Sequence, residues 1–236
     1  MAKPRLIVFL LYDSVNLLDV TGPLEVFSQP CRMAGNDNPP YRILVVSPDG
    51  GAVRTSAGLA LMSEPLSVLK SEAIDTLVIP GGGLRYEPFA PKAATDWIAA
   101  VAPRVRRLCS VCTGAFALAA AGLLTRRRAT THWLAGAELC RVEPLVELEP
   151  DAIYVRDGKI WTSAGVSAGI DLALALIEAD LGHAPAMQVA RRMVVFLKRP
   201  GGQSQFSVPL HQQAADDTFS ELHAWIASNL HKDLRV

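Results

Sequence analysis

The sequence predicts an α/β fold of three layers, a mainly parallel sheet with helices on both faces. Three observations carry that expectation. Short apolar runs without polar alternation recur at Arg5–Leu11, Tyr41–Ser47, Thr76–Ile79 and Val105–Val111, as in strands buried on both faces. Helical stretches alternate with them, the order that produces parallel pairing. Asp157-Gly158, between Ala152–Val155 and Ile160–Ser163, has the turn chemistry of a hairpin, so a small antiparallel insertion joins late.

After the first strand, Leu17–Met33 reads as mostly helical, with Pro23 near its start. Asp49-Gly50-Gly51 is a turn behind the second strand, and the third ends in Pro80-Gly81-Gly82-Gly83. Ala90–Val101 is helical. The Val105–Val111 strand then runs into a helix of strong formers, Thr113–Ala121, closed by Gly122 at the position a helix end favours. Val166–Leu181 is a long buried helix, with Ser167 as its cap and Gly182 as its stop, and Met187–Leu197 is another. Residues 1–197 therefore form one domain. A linker follows over 198–217, because Lys198–Leu210 holds two prolines and two glycines without periodicity. Residues 218–236 read as the first helix of a further domain. Thr218 and Glu221 make its capping box, and Phe219, Leu222, Trp225, Ile226 and Leu230 its apolar stripe.

Composition excludes several function classes. Half of the 236 residues are hydrophobic and 19% charged, which is ample for a core. Lys+Arg and Asp+Glu balance at 23 each, so net charge points to neither nucleic acid nor a membrane surface. Leu108–Leu124 is nearly long enough to span a membrane, but Ser110, Cys112, Thr113 and Gly114 interrupt it. Four unevenly spaced cysteines without a signal peptide point to a reducing cytoplasm.

Cys112 is the centre of the expected site. It stands on the strand-to-helix turn, where unpaired N–H groups and the positive end of the helix dipole favour thiolate and lower the thiol pKa. The other reading is a packing residue, since free cysteine is among the most buried types. Cys109 completes a C-x-x-C spacing, yet three residues along a strand span about 10 Å, too far for a disulfide. No second cysteine pair or nearby histidine completes a metal site, and no cofactor motif is present: GGGLRY lacks the later glycine of a dinucleotide fingerprint.

In parallel sheets, sites form beyond the carboxyl ends of the strands. Two further segments should meet Cys112 there. Gly81–Gly83 would let backbone N–H groups approach a ligand oxygen, Gly82 and Gly83 most directly. Asp13, Asn16 and Asp19 follow the first strand, and Asp19 is the preferred acid/base partner because it lies in an apolar surround. Asp19 reads equally as a helix N-cap for Thr21–Phe27. His132, in Thr130-Thr131-His132-Trp133, is either a ligand-binding proton carrier or a structural histidine. Arg126-Arg127-Arg128 reads as a solvated loop.

Five segments, LLDVTGPLEVF, VIPGGG, SVCTGAFALAAAGLL, TTHW and TSAGVSAGIDLAL, together resemble the ThiJ/PfpI branch of the class I glutamine amidotransferase-like superfamily. The resemblance covers about Arg5–Leu197 and implies a flavodoxin-like sheet with Cys112 at a nucleophile elbow. Two sub-branches share these motifs. One is isonitrile hydratase-like, and Cys112, Thr113 and Asp19 match its catalytic set. The other is the sensing domain of AraC-type transcriptional regulators. ARRMVVFLKRPGGQSQFS resembles the segment that joins that domain to the DNA-binding domain, and LHAWIASNLHKDLRV resembles the start of the latter's first helix. This match implies a small-molecule ligand, a homodimer, and DNA contacted only through helix-turn-helix units outside the sequence. Thr113 stands where PfpI-type peptidases carry histidine, which argues against peptidase activity.

Overall fold

The structure is a computed structural model that describes residues 3–35, 38–69, 72–82, 90–199, 202, 203, 225 and 229. They fall into two compact units, Met1–Arg199 and Pro200–Val236. The expected last helix, the linker after residue 203, and Gly83 lie outside the described residues, apart from Trp225 and Asn229.

In chain order the first unit runs β1 (Arg5–Leu10), α1 (Leu17–Ala34), β2 (Tyr41–Ser47), β3 (Gly51–Arg54), β4 (Ala60–Pro65), β5 (Thr76–Ile79), α2 (Lys92–Val101), β6 (Arg107–Val111), α3 (Gly114–Ala120), β7 (Arg128–Ala129), α4 (Gly136–Val142), β8 (Glu147–Leu148), β9 (Tyr154–Asp157), β10 (Ile160–Ser163), α5 (Ala168–Leu181) and α6 (His183–Met193). Eight strands form one sheet in the order β3-β4-β2-β1-β5-β6-β10-β9. All pairs are parallel except β3–β4 and β10–β9. The Asp157-Gly158 hairpin forms as the sequence predicts. Helices α1, α5 and α6 pack together in one layer, and α2, α3 and α4 are neighbours in the other. The expected three-layer, mainly parallel α/β sandwich is the observed fold.

The central strands have no polar face. Ile7 to Leu10 of β1, Leu77 and Ile79 of β5 and Leu108 of β6 are fully buried, so both helical layers draw on them for the core. From β1 the chain steps outward to β2, then returns to β5 on the other side. This reversal opens a crevice above the carboxyl ends of β1 and β5. Layer α1–α5 closes tightly: an added Cβ at Gly22 would lie 3.1 Å from Ile170, and one at Gly169 would lie 2.9 Å from Pro23.

Several expectations need correcting. The cap of α1 is Asn16, whose side chain accepts from the N–H groups of Leu18 and Asp19 at 3.0 and 3.4 Å; Asp19 sits one turn further in, freed from capping. Ser167 holds the N-cap position of α5 but makes no cap hydrogen bond. The last helix of the unit is His183–Met193, not Met187–Leu197. Gly182, at φ +90, ends α5 and lets α6 start at once. Val194 then closes α6 in the left-handed region, with the Val195 N–H reaching back to the Ala190 carbonyl at 3.0 Å, a Schellman-type end. Strands β3 and β4 escaped the sequence reading because neither has a buried apolar run.

Candidate functional site

Cys112 follows β6 directly and adopts φ +57, a conformation that costs a non-glycine residue about 1–3 kcal/mol. Both of its peptide groups are tied down. Its N–H donates to the carbonyls of Ser163 and Ala164 at 3.1 and 3.2 Å, and its own carbonyl accepts from the Thr131 hydroxyl at 2.9 Å. Gly114 lets α3 start against the end of β5: a Cβ there would lie 2.2 Å from the Ile79 carbonyl oxygen.

The crevice brings two other segments to this elbow. Gly81 and Gly82 extend from β5, and the Gly81 N–H donates to Asp19 Oδ2 at 3.0 Å. A Cβ at Gly81 would fall 2.7 Å from Asp19 and from Thr113, so only glycine permits this approach. The Thr113 hydroxyl accepts the Gly82 N–H at 3.0 Å and donates to the Gly82 carbonyl at 3.1 Å. Its proton is thus engaged within the fold, which leaves the Thr113 N–H as that residue's donor toward the sulfur.

Asp19 has no exposed surface. It accepts from Gly81, from the Val166 N–H at 3.2 Å, and from the Cys112 thiol. No ion pair with Asp19 occurs among the described residues. Burial pushes its carboxyl up to about 7, against the pull of those three donors. Cys112 differs from the sequence expectation. It is only 5% exposed, and burial first, then the charge of Asp19, push its thiol up to about 12. The N–H groups of Thr113 and Val166 oppose that rise and do not overcome it. A lone thiolate is therefore disfavoured at rest. With its carboxyl raised to about 7, Asp19 can take up the thiol proton near neutral pH as the sulfur forms a bond.

Two participants were not legible. Val166 adopts φ +56 and turns its N–H toward both Asp19 and Cys112; its only sequence sign is a glycine-flanked turn after a strand. Tyr12 is buried directly after β1, and its hydroxyl donates to the Pro80 carbonyl. Burial first, then the charges of Asp19 and Cys112, raise its pKa, which places it beside the pair as a neutral phenol.

His132 is not hydrogen-bonded to the pair. Its Nδ1 accepts from the Leu134 N–H at 3.3 Å and its ring stacks on Trp133. The ring lies flush against Gly165, where a Cβ would come 2.0 Å from Cδ2. Burial lowers its pKa, so the ring is neutral at neutral pH. Asp13 is exposed and Asn16 caps α1. Among the described residues, no group of three His, Cys, Asp or Glu side chains could hold a metal ion, and no helix is long and apolar enough to cross a membrane.

A flavodoxin-like sheet with a cysteine on a left-handed elbow defines the class, and the chain belongs to the DJ-1/PfpI family, whose profile matches residues 5–179. Its relatives include both an enzyme and transcriptional regulators. The chain is 35% identical to isonitrile hydratase from Pseudomonas putida over 175 residues, 74% of this chain and 71% of that protein. It is 27% identical to the HTH-type transcriptional regulator GbdR from Pseudomonas aeruginosa over 234 residues, 98% of this chain and 62% of the regulator. The chain thus spans less than two thirds of that regulator's length. Among solved structures, an AraC family transcriptional regulator from Pseudomonas putida has a TM-score of 0.69 at 24% identity, covering 80% of this chain and 100% of its own. A ThiJ/PfpI family protein from Pseudomonas syringae has a TM-score of 0.71 at 23% identity, with 90% and 87% covered. These two show the shared fold.

Proposed function

We propose that this chain is the ligand-sensing, dimerising part of a cytoplasmic AraC-type transcriptional regulator, with DNA contacted by helix-turn-helix units outside it. The observation that carries this reading is the reach of the regulator match. The similarity to GbdR runs through 98% of the chain, past the end of the Cys112 domain, whereas that to isonitrile hydratase covers 74%. A small molecule would sit over Cys112, Asp19 and the Thr113 N–H, near Gly82 and His132; Gly83, also expected there from the sequence, lies outside the described residues. It would act by binding one arrangement of the protein better than another, since a ligand shifts an equilibrium only by its differential affinity.

A second reading rests on the convergence of Cys112, Asp19 and Thr113 within one buried site. In isonitrile hydration the sulfur would bond to the terminal carbon while Asp19 takes the thiol proton and returns it to that carbon, giving a thioimidate. Water would then add to the carbon, its proton passing through Asp19 to the imidate nitrogen, and the C–S bond would break as the hydroxyl proton passes to sulfur, releasing an N-substituted formamide and the thiol.

One experiment separates the two. Purified protein is screened against small polar compounds and alkyl isonitriles by thermal shift, with formamide production followed in parallel. The sensing reading expects stabilisation by a compound that is not consumed, weakened in Cys112→Ala. Rapid formamide formation that disappears in Cys112→Ala would instead establish the enzyme. Light scattering on the same sample checks the dimer.

A further inference from the structure

Two valines adopt left-handed backbone conformations in one layer of the fold. Val166, at φ +56, leads into α5 and donates to Asp19; Val194, at φ +57, ends α6. A β-branched residue pays for this conformation in strain, and glycine is the usual occupant of such a helix end. Residues 194–199 follow as a strap rather than a helix. Val195 and Leu197 pack against the core, while Val194 is 90% and Phe196 70% exposed. The strap lies over the first turn of α5. Ser167, Ile170 and Asp171 on the helix side and Val194, Phe196 and Arg199 on the strap side enclose a groove of 230 Å³.

The strap ends in an ion pair. Arg199 Nε lies 2.9 and 3.0 Å from the two carboxylate oxygens of Asp171, and Nη2 makes a further bond to Oδ2. Both side chains are largely buried, at 18% and 7% exposure, where a two-pronged guanidinium contact is stronger than on a surface. Lys198 adds a looser contact to Glu178 at 3.3 Å. Arg199 is also the last residue of the first unit.

The first turn of α5 touches the site as well. Val166 holds Asp19, and Ile170 packs on Gly22 of α1, one turn beyond Asp19. The turn that anchors Arg199 is thus continuous, through Val166 and Ile170, with the residues around Cys112.

We propose that residues 194–199 form a latch on α5, closed by the Arg199–Asp171 pair, which reports occupancy of the Cys112 pocket to the chain where it leaves the first unit. The idea extends the sensing reading, in which a ligand would be the trigger, but it concerns this chain's own contacts. Spatial continuity alone does not establish coupling, so the test measures it directly, with an alkylating probe in place of a ligand.

In a Cys31→Ser, Cys140→Ser background, iodoacetamide is reacted with Cys112: sulfur displaces iodide, a thioether forms, and the thiol proton leaves to buffer. Mass spectrometry confirms the adduct. Trypsin cleavage after Lys198, one residue before the ion pair, is then timed for modified and unmodified protein. The latch expects cleavage to change by at least about threefold on modification, as the open population changes. Asp171→Asn should speed cleavage of unmodified protein by about fivefold or more and erase the effect of modification. Arg199→Gln gives the same readout should Asp171→Asn fail to fold, with circular dichroism as the check. Cleavage insensitive to a confirmed Cys112 adduct overturns the latch, as does an effect that persists in the folded variants. Failure of the ligand screen with coupling intact would count against the sensing reading alone.

Discussion

Strand β6 runs between two sites that hold buried ionisable groups, Arg107 at its start and, beside Cys112 past its end, Asp19 of α1, and the two are built on opposite principles. At its start, Arg107 is 4% exposed and bonds to Asp180 at 2.6 Å; Asp180 also accepts from Arg106 at 2.8 Å and from Tyr41 at 3.1 Å. Asp75 joins the same cluster through two 2.8 Å bonds from Arg106. At the other end, Asp19 is held by neutral donors only. The carboxylates respond accordingly. Burial raises the Asp75 carboxyl, but hydrogen bonds from Arg106 and Thr76 and the arginine charges outweigh it and hold it below the usual range. Asp19, with no cation to compensate, stays up at about 7. Charge paired at the amino ends of the strands makes a foundation; charge left unpaired at the carboxyl ends makes a group ready to exchange a proton.

The contrast breaks most readily at the foundation. Asp180→Asn takes from buried Arg107 its 2.6 Å carboxylate partner and leaves only Asp75 at 3.7 Å, which should cost about 3 kcal/mol in urea denaturation, while Asp19→Asn deprives no cation of a partner and should cost less. If both cost the same, the distinction fails.

The next effect is the opposite response of the two ends to pH. A carboxyl near 3.9 when unfolded and near 7 when folded holds its proton more tightly in the native state. Asp19 therefore leaves stability intact below about pH 4, and that stability falls progressively as pH rises from about 4 to about 7 and then levels off, by on the order of 4 kcal/mol in all. Asp75, depressed in the fold, contributes stability above its unfolded value that is lost as pH falls toward its folded one. The pH dependence of stability should lose its fall between about pH 4 and 7 in Asp19→Asn and its loss toward acid pH, below the ordinary carboxylate value, in Asp75→Asn.

The two glycines that crowd the upper end differ in what they meet. Gly114→Ala would drive a methyl into the Ile79 main chain, whereas Gly165→Ala would press on a side chain, that of His132. The first should lose about 1–3 kcal/mol. The second should lose less and change ligand or alkylation behaviour by turning the His132 ring. The smallest expected effect has the opposite sign: Cys112→Gly relieves the φ +57 strain and should raise stability by up to about 1 kcal/mol while abolishing alkylation.

The sheet was legible because its central strands are buried on both faces and need no partner to be recognised; β1, β2 and β5 stand where their apolar runs predict. Strands β3 and β4 were not, since their side chains alternate between exposed and half-buried and only pairing defines them. The meeting of Cys112, Thr113 and Asp19 followed from placing each after a strand. What could not be read was the sense of the thiol shift. A helix start next to a cysteine announces donors, but depth of burial and the distance of a carboxylate belong to the packed chain. Val166 was hidden for the same reason: its contribution is a main-chain N–H, which any residue type carries.

The polar floor around Cys112 consists of amide groups from the Gly81, Thr113 and Val166 peptides, and such groups survive substitution of the residues that bear them as long as the turns persist. His132 and Trp133, which stack on each other beside that floor, contribute side chains instead, and a substitution there changes the group itself. A pocket divided in this way can change which molecule it accepts without losing how it holds one, so a single ancestral floor can underlie both a catalyst and a sensor.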